Sequence, residues 1–421
     1  MLLNKAQFTL SNIFFFTIAL VLATVPFDYG INSVSLIFMT IVWVIYALNN
    51  KVKCKINGLY PYLILMLLGL LYLSSYFWSI DKDYTLKGLL VKLPLFLFPF
   101  IFMTIHLRNA AINFKIVLQL FILSVLIIDM YCFIKSLQHY IIYSDLDIFF
   151  YHKLSNNANL NAIYLAYFNA ISLIIILTTN ILNNKTKSSA IILLLLTFLV
   201  LLSSKMVIFS LIAILFTSKL LLAKKSKKLL VLLFLSLTTT LIVLGITSNP
   251  IKNRIKEVVH SETQKVLYNK ELSDLKVEGI SIRLFQYRVL MEIIKENPQK
   301  IFNGFGLKAY KLKLNQKYKQ YGIYMGNQTL PGISGLDFHN QYISTFLSVG
   351  ILGCSILLTF LFMALLNGIK RKDEFLFAIT GFFILTFLTE MSLETQRGVI
   401  VFSIIIMIAL NRNQVYFNKE Y

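Results

Sequence analysis

Residues 337–366 read DFHNQYISTFLSVGILGCSILLTFLFMALL, and the change of character inside this stretch decides the fold. Its first residues close a polar interval of about ninety residues that begins near Ile246, and the chain beyond Asn340 is apolar for long enough to cross a bilayer. Outward from it in both directions the chain is a series of apolar runs joined by short connections. A chain that lies mostly in a membrane and keeps one large water-facing segment places its chemistry at that segment, so the pair His339-Asn340 at its exit is the first candidate.

Composition agrees. Of the 421 residues 57% are hydrophobic and mean hydropathy is +0.73, more apolar surface than a soluble protein can bury. Period-two alternation is absent from the apolar runs, which argues against an outer-membrane barrel. The run from Phe8 to Pro26 lacks a small-x-small cleavage site and is followed by many others, so it is expected to be a retained first helix. The formal charge of +21 does not indicate nucleic acid, because the basic residues sit mainly in short loops. Cys54, Cys132 and Cys354 form neither a metal-ligand spacing nor a disulfide framework.

The runs predict an all-α polytopic membrane protein of about twelve spans: 8–26, 31–48, 59–77, 89–105, 114–137, 160–181, 188–203, 205–222, 228–247, 340–367, 374–391 and 396–411. Only Ser203-Ser204-Lys205 separates two of them. A lysine costs roughly 2.5–3.5 kcal/mol at the bilayer centre and little at its edge, so a hairpin tip at the edge is expected there.

Alternate connections are basic: Lys51, Lys53 and Lys55; Arg108 and Lys115; Lys185 and Lys187; Lys219 to Lys228; Lys370, Arg371 and Lys372. Those between carry acids instead: Asp28; Asp81 and Asp83; Asp145 and Asp147; Glu390 and Glu394. The positive-inside rule then puts both termini in the cytoplasm and the polar interval outside. Three parts result: spans one to nine in 1–248, an external segment 249–338, and three further spans in 339–421 with a cytoplasmic tail.

The external segment has helical patterns of its own. Ile282, Phe285, Val289, Ile293 and Ile294 recur at helix spacing until Pro298, and Asn303-Gly304-Phe305-Gly306 reads as a turn. A second helix from Leu307 places Leu307, Tyr310, Leu314, Tyr318 and Tyr321 on one face among five lysines. Such a helix suits a membrane surface with anionic headgroups, or is a solvated basic face. Arg283 has no acidic residue one turn later and is a candidate phosphate ligand. Arg288 is another, although Glu292 at i+4 offers an ordinary surface pair. His339 is a candidate general base. The remaining histidines share no spacing, so a metal site is not indicated.

In order along the chain, these pieces resemble the O-antigen ligase and O-antigen polymerase superfamily of bacterial envelope glycosyltransferases. Trp78-Ser79-Ile80-Asp81 is similar to its Trp-Ser-x-Asp signature, and Ser203-Ser204-Lys205 stands where Ser-Arg is common. Arg283 to Tyr287, Pro298 and Gly304-Phe305-Gly306 resemble its Arg…Trp…Pro…Gly-x-Gly run. His339-Asn340-Gln341-Tyr342 with Gly350 and Gly353 resembles His-Asn-x-Tyr…Gly-x-x-Gly, and Thr389-Glu390 through Glu394 to Gly398 fits as well. Two positions depart from the pattern: lysine at 205, which loses bidentate geometry, and tyrosine at 287 in place of tryptophan.

The resemblance implies a GT-C-like membrane fold in the bacterial inner membrane, with the site on the periplasmic side. It implies an undecaprenyl pyrophosphate-linked glycan as donor, a lipid A-core sugar hydroxyl as acceptor, inversion at the anomeric carbon, and no metal or other cofactor. His339 would be the base. Arg283, Lys205 and Arg288 would hold the pyrophosphate, with Asn340 and Glu394 as further substrate contacts. A Wzy-type polymerase, which joins lipid-linked repeats, uses similar parts and differs in acceptor. Transfer to protein is related. The reading from another class is a transporter, which needs ionisable groups deep in the spans; Asp129 is the candidate, while Lys92 lies near an outer end where it can snorkel.

Overall fold

The computed structural model describes residues 2–50, 60–104, 110–222, 279–325 and 336–417, with Val266, Tyr268 and Leu272. Among them there is no strand. The longer helices are α1 (Leu2–Thr24), α2 (Tyr29–Asn50), α3 (Tyr60–Ser74), α4 (Lys82–Thr104) and α5 (Ala110–Tyr143). After the short α6 (Tyr151–Asn156) come α7 (Ala162–Thr178), α8 (Lys185–Leu201) and α9 (Lys205–Leu222). The polar interval contributes α10 (Gly279–Glu296), α11 (Lys300–Asn303) and α12 (Tyr310–Gln320). The last are α13 (Gln341–Lys370), α14 (Glu374–Thr386) and α15 (Gln396–Phe417).

Each expected span coincides with a helix, apart from 228–247, which lies outside the described residues along with much of the polar interval. Among the described residues six helices are long and apolar enough to cross a bilayer, and four shorter apolar helices accompany them. The chain is an all-α polytopic membrane protein. One face of α2 shows why: Val34, Phe38, Ile41, Ile45 and Leu48 recur at helical spacing and are all exposed. A stripe of that size is a liability in water and costs nothing against acyl chains.

Asparagine and aspartate side chains begin several of the helices. Asn161, Asn184 and Asp373 each accept a backbone N–H in the first turn of α7, α8 and α14. The α8–α9 connection is the sharp turn that its sequence implies, with Ser203 at φ 48° and Lys205 exposed at its tip. α14 is shorter than its expected span and ends at Thr386, leaving Glu390 and Glu394 in a loop before α15. α9 and α14 run antiparallel: Lys219 Nζ meets Glu374 Oε1 at 2.5 Å, and Ile214 sits against Gly381. That register carries Lys205 to the depth at which α14 ends.

Segment 279–338 has a second apolar core. Phe285, Val289 and Ile293 of α10 meet Tyr310, Leu314 and Tyr318 of α12, the faces that periodicity indicates. Phe285 stacks on Tyr318 at 5.7 Å between ring centroids. The apolar face of α12 is therefore covered by protein, and its exposed positions are Gln316, Lys319 and Gln320.

Three backbone segments clasp this subdomain to the membrane helices. Phe305 and Gly306 donate to the carbonyls of Leu347 and Ser348 on α13, at 2.8 and 3.0 Å, and Ile80 donates to Phe305 at 3.0 Å. The Trp78 indole donates to the Asn303 carbonyl at 2.5 Å. α13 kinks at the contact, where Gly350 takes φ 73° and ψ −170°, and Gly304 takes φ 70° and ψ −173°. Both lie in a region open essentially to glycine alone. A Cβ on Gly350 would stand 2.0 Å from the Phe302 carbonyl oxygen, and one on Gly306 would stand 2.2 Å from Ser79 Oγ. The Trp-Ser-x-Asp and Gly-x-Gly motifs are thus one structural joint.

Candidate active site

Residues 337–340 link the subdomain to α13 and are fixed on both sides. Asn340 caps α13, accepting from the Ile343 N–H at 3.1 Å, while its amide donates to the Leu388 carbonyl at 3.0 Å. On the other side the buried Asp337 receives the Tyr310 hydroxyl at 2.8 Å, the Phe338 N–H at 2.9 Å and the Lys311 ammonium at 2.9 Å. Its backbone carbonyl accepts from Gln286 at 2.7 Å. Between these anchors His339 adopts φ 47°, a left-handed conformation that a histidine holds only when its surroundings enforce it.

The His339 imidazole makes no hydrogen bond to the described residues. Burial lowers its proton affinity below the ordinary value, and the charges of Arg283 and Lys311 lower it further against the pull of Asp337. A neutral imidazole at neutral pH is the form that accepts a proton. Arg283 is exposed and also acts on Glu390, which burial pushes up to about 7 against that influence. Arg283, Lys311, His339 and Glu390 form one electrostatic neighbourhood drawn from four parts of the chain.

Beneath it lies a buried network that periodicity does not reveal. Lys92 is 0% exposed and meets Glu394 at 2.7 Å, donates to the Leu393 carbonyl at 2.7 Å, and lies 4.4 Å from the Tyr72 ring centroid. Ser344 donates to the same Glu394 oxygen at 2.9 Å and lies 3.1 Å from the Tyr310 hydroxyl, so the network reaches Asp337. Burial would raise the Glu394 carboxyl, but Lys92 outweighs it and holds it well below the usual carboxylate range.

The candidate residues therefore separate. His339 and Arg283 come together. Lys205 is at the same depth, on the tip of the α8–α9 hairpin. Asn340, expected to contact substrate, has both ends of its amide engaged as a helix cap and tether. Glu394, expected to touch substrate, is enclosed by Lys92 and Ser344. Arg288 pairs with Glu292 at 3.3 Å, donates to the Val266 carbonyl at 2.8 Å and lies 4.6 Å from the Tyr321 ring centroid. It belongs to the subdomain's own framework. Lys92 does not snorkel; it is an internal cation. Asp129 accepts a hydrogen bond from Asn169 at 3.1 Å inside the bundle, in keeping with a structural role.

An open apolar groove of about 430 Å³ is lined by Tyr342 on one side of the α13 kink and by Leu358, Phe362 and Leu365 on the other, with Ile384 of α14.

A polytopic helical membrane protein with one hydrophilic subdomain, and a histidine and cations where that subdomain re-enters the membrane, is the class that these features define. Residues 190–358 match the family model described as O-Antigen ligase, the family that the motifs resemble. The matched stretch contains Lys205, Arg283, Arg288, His339 and Asn340. It supports a function of the O-antigen ligase and polymerase type, and with it a glycosyltransferase-like activity. No curated protein matches the chain.

Proposed function

We propose that this protein transfers a glycan from undecaprenyl pyrophosphate to a sugar hydroxyl of lipid A-core, at the periplasmic face of the bacterial inner membrane. The observation that carries the reading is His339: half-buried, held in a left-handed conformation, with no hydrogen bond from its imidazole to any described residue, and under the charge of Arg283 and Lys311. In this reading both termini are cytoplasmic, 1–248 and 339–421 are membrane parts, and 249–338 is the periplasmic segment.

His339 takes the proton of the acceptor hydroxyl as that oxygen attacks the anomeric carbon. The new glycosidic bond forms on the face opposite the old one, and the bond to the pyrophosphate breaks. Prenyl pyrophosphate leaves with the electron pair, and the proton rests on His339 until solvent removes it. Arg283 stands where negative charge grows on the leaving group, with Lys205 at the same depth. Preorganised cations in a site poor in water are worth far more than in solution.

Deleting the gene tests the reading. A ligase deletion leaves lipid A-core without polymer while lipid-linked polymer accumulates. Core bearing a single repeat would instead establish the polymerase, and unchanged polymer on core would reject both. The hydrogen-bonded, enclosed Asp129 gives a transporter reading little support.

A further inference from the structure

Lys311 belongs to the basic face of α12, but it is placed unlike its neighbours. Lys317 is engaged by Glu292 and Glu296. Lys311 instead reaches Asp337, and Asp337 is only 5% exposed and saturated by the Tyr310 hydroxyl, the Phe338 N–H and the Lys311 ammonium. A carboxylate held by so many donors cannot swing, so it fixes where the ammonium stands. An ammonium has three donors, and Asp337 takes one. The Lys311 side chain remains 26% exposed, and its charge acts on the His339 imidazole. Arg283 acts on the same ring from α10. Two cations on two helices thus act on one candidate base, and each has donors that no described residue takes up.

We infer that Lys311, held beside His339 by Asp337, is a binding residue for the pyrophosphate of the lipid-linked donor and shares that anion with Arg283. Asp337 is a positioning residue that acts through Lys311 and through the backbone of His339. The inference rests on the donor named above. It goes beyond that reading by adding Lys311 to the anion's ligands.

The test uses the full chain in lipid nanodiscs, without acceptor, and geranylgeranyl pyrophosphate as probe, with geranylgeraniol for comparison. Lys311→Met is expected to weaken pyrophosphate binding by about ten- to a hundredfold while leaving the alcohol unaffected, and Lys311→Arg to keep most of the affinity. Pyrophosphate binding by Lys311→Met within twofold of wild type would overturn the inference and leave the donor reading standing. A wild-type protein that does not prefer pyrophosphate to alcohol would overturn both.

A second readout separates positioning from folding. Among the described residues, Arg283 from α10, Lys311 from α12 and Asp337 on its own segment are the charged groups that act on His339, and Glu390 beyond α14 feels the same Arg283. Lys311→Met should move the acid limb of the transfer rate to higher pH, and Asp337→Asn should move it to lower pH. Limbs that move together, or stay, would refute the arrangement.

Discussion

Lys92 and Glu394, 302 positions apart, form an ion pair of 2.7 Å with side chains 0% and 8% exposed. The pair fastens α4 to the loop between α14 and α15, directly under the candidate site. Removing one partner strands the other charge in a dry place, at about 3–5 kcal/mol, whereas removing both can be nearly neutral. Lys92→Met should therefore lower the thermal midpoint sharply in nanodiscs, and Lys92→Met with Glu394→Gln should recover much of the loss. A double variant as unstable as the sum of the singles would show that the two do not act as a pair.

The clasp makes a prediction about glycine. Gly350→Ala forces a side chain into a glycine-only conformation and against the Phe302 carbonyl, at upwards of about 1–3 kcal/mol. Protease should then cleave within 279–338 much faster than in wild type. Gly30→Ala is the control, because its Cβ would meet only the mobile end of Asp28 at 2.9 Å. Equal protection of the two variants would remove the clasp from the account.

His339→Ala is expected to abolish transfer while leaving the protein level normal, and Arg283→Ala to slow it by about 10²–10³-fold. The wild-type rate should fall with acidification through an apparent pKa below the ordinary histidine value, since a protonated imidazole cannot serve as base. An acid limb above about 6.5 would contradict the neighbourhood described for His339.

Glu390 supplies a pH effect on stability. Its carboxyl is raised from 4.5 to about 7 in the fold, so the native state binds its proton more tightly than the unfolded chain does. Stability from this group is whole below its unfolded value and declines as pH rises from about 4.5 to about 7. Glu390→Gln should raise the melting temperature above neutrality and change little at acid pH. A gain confined to acid pH would reverse the sign and refute the burial.

Arg288→Ala should lower stability by about 1 kcal/mol or more through lost contacts with Glu292 and Tyr321, with little effect on transfer in the protein that folds. A loss of transfer at normal stability would return Arg288 to the site.

Spans and the apolar faces of α10 and α12 were legible because they rest on periodicity within one helix. Tyr310, Leu314 and Tyr318 face the protein as their spacing indicates. Asp337, Lys92 and Tyr310 as a network were not legible, since no local pattern says which distant residue meets which. Lys92 looked like a cation near a membrane edge, and only its meeting with Glu394 turns it inward. Lys311 was one lysine among five for the same reason. Asn340 stood in a motif with His339, and motif membership does not reveal that its amide is occupied as a cap.

The hydrogen bonds from Phe305 and Gly306 to Leu347 and Ser348 also impose an order on biogenesis. The turn at 303–307 leaves the ribosome before α13 does. At roughly 5–20 residues per second, the partner carbonyls emerge a few seconds later. Until that next helix has been threaded into the bilayer, the subdomain has its own core and its bonds to Trp78 and Ile80, but the α13 side of the clasp is missing. Its last folding step is thus a membrane-insertion step, and a delay there would leave it half-finished and open to proteolysis.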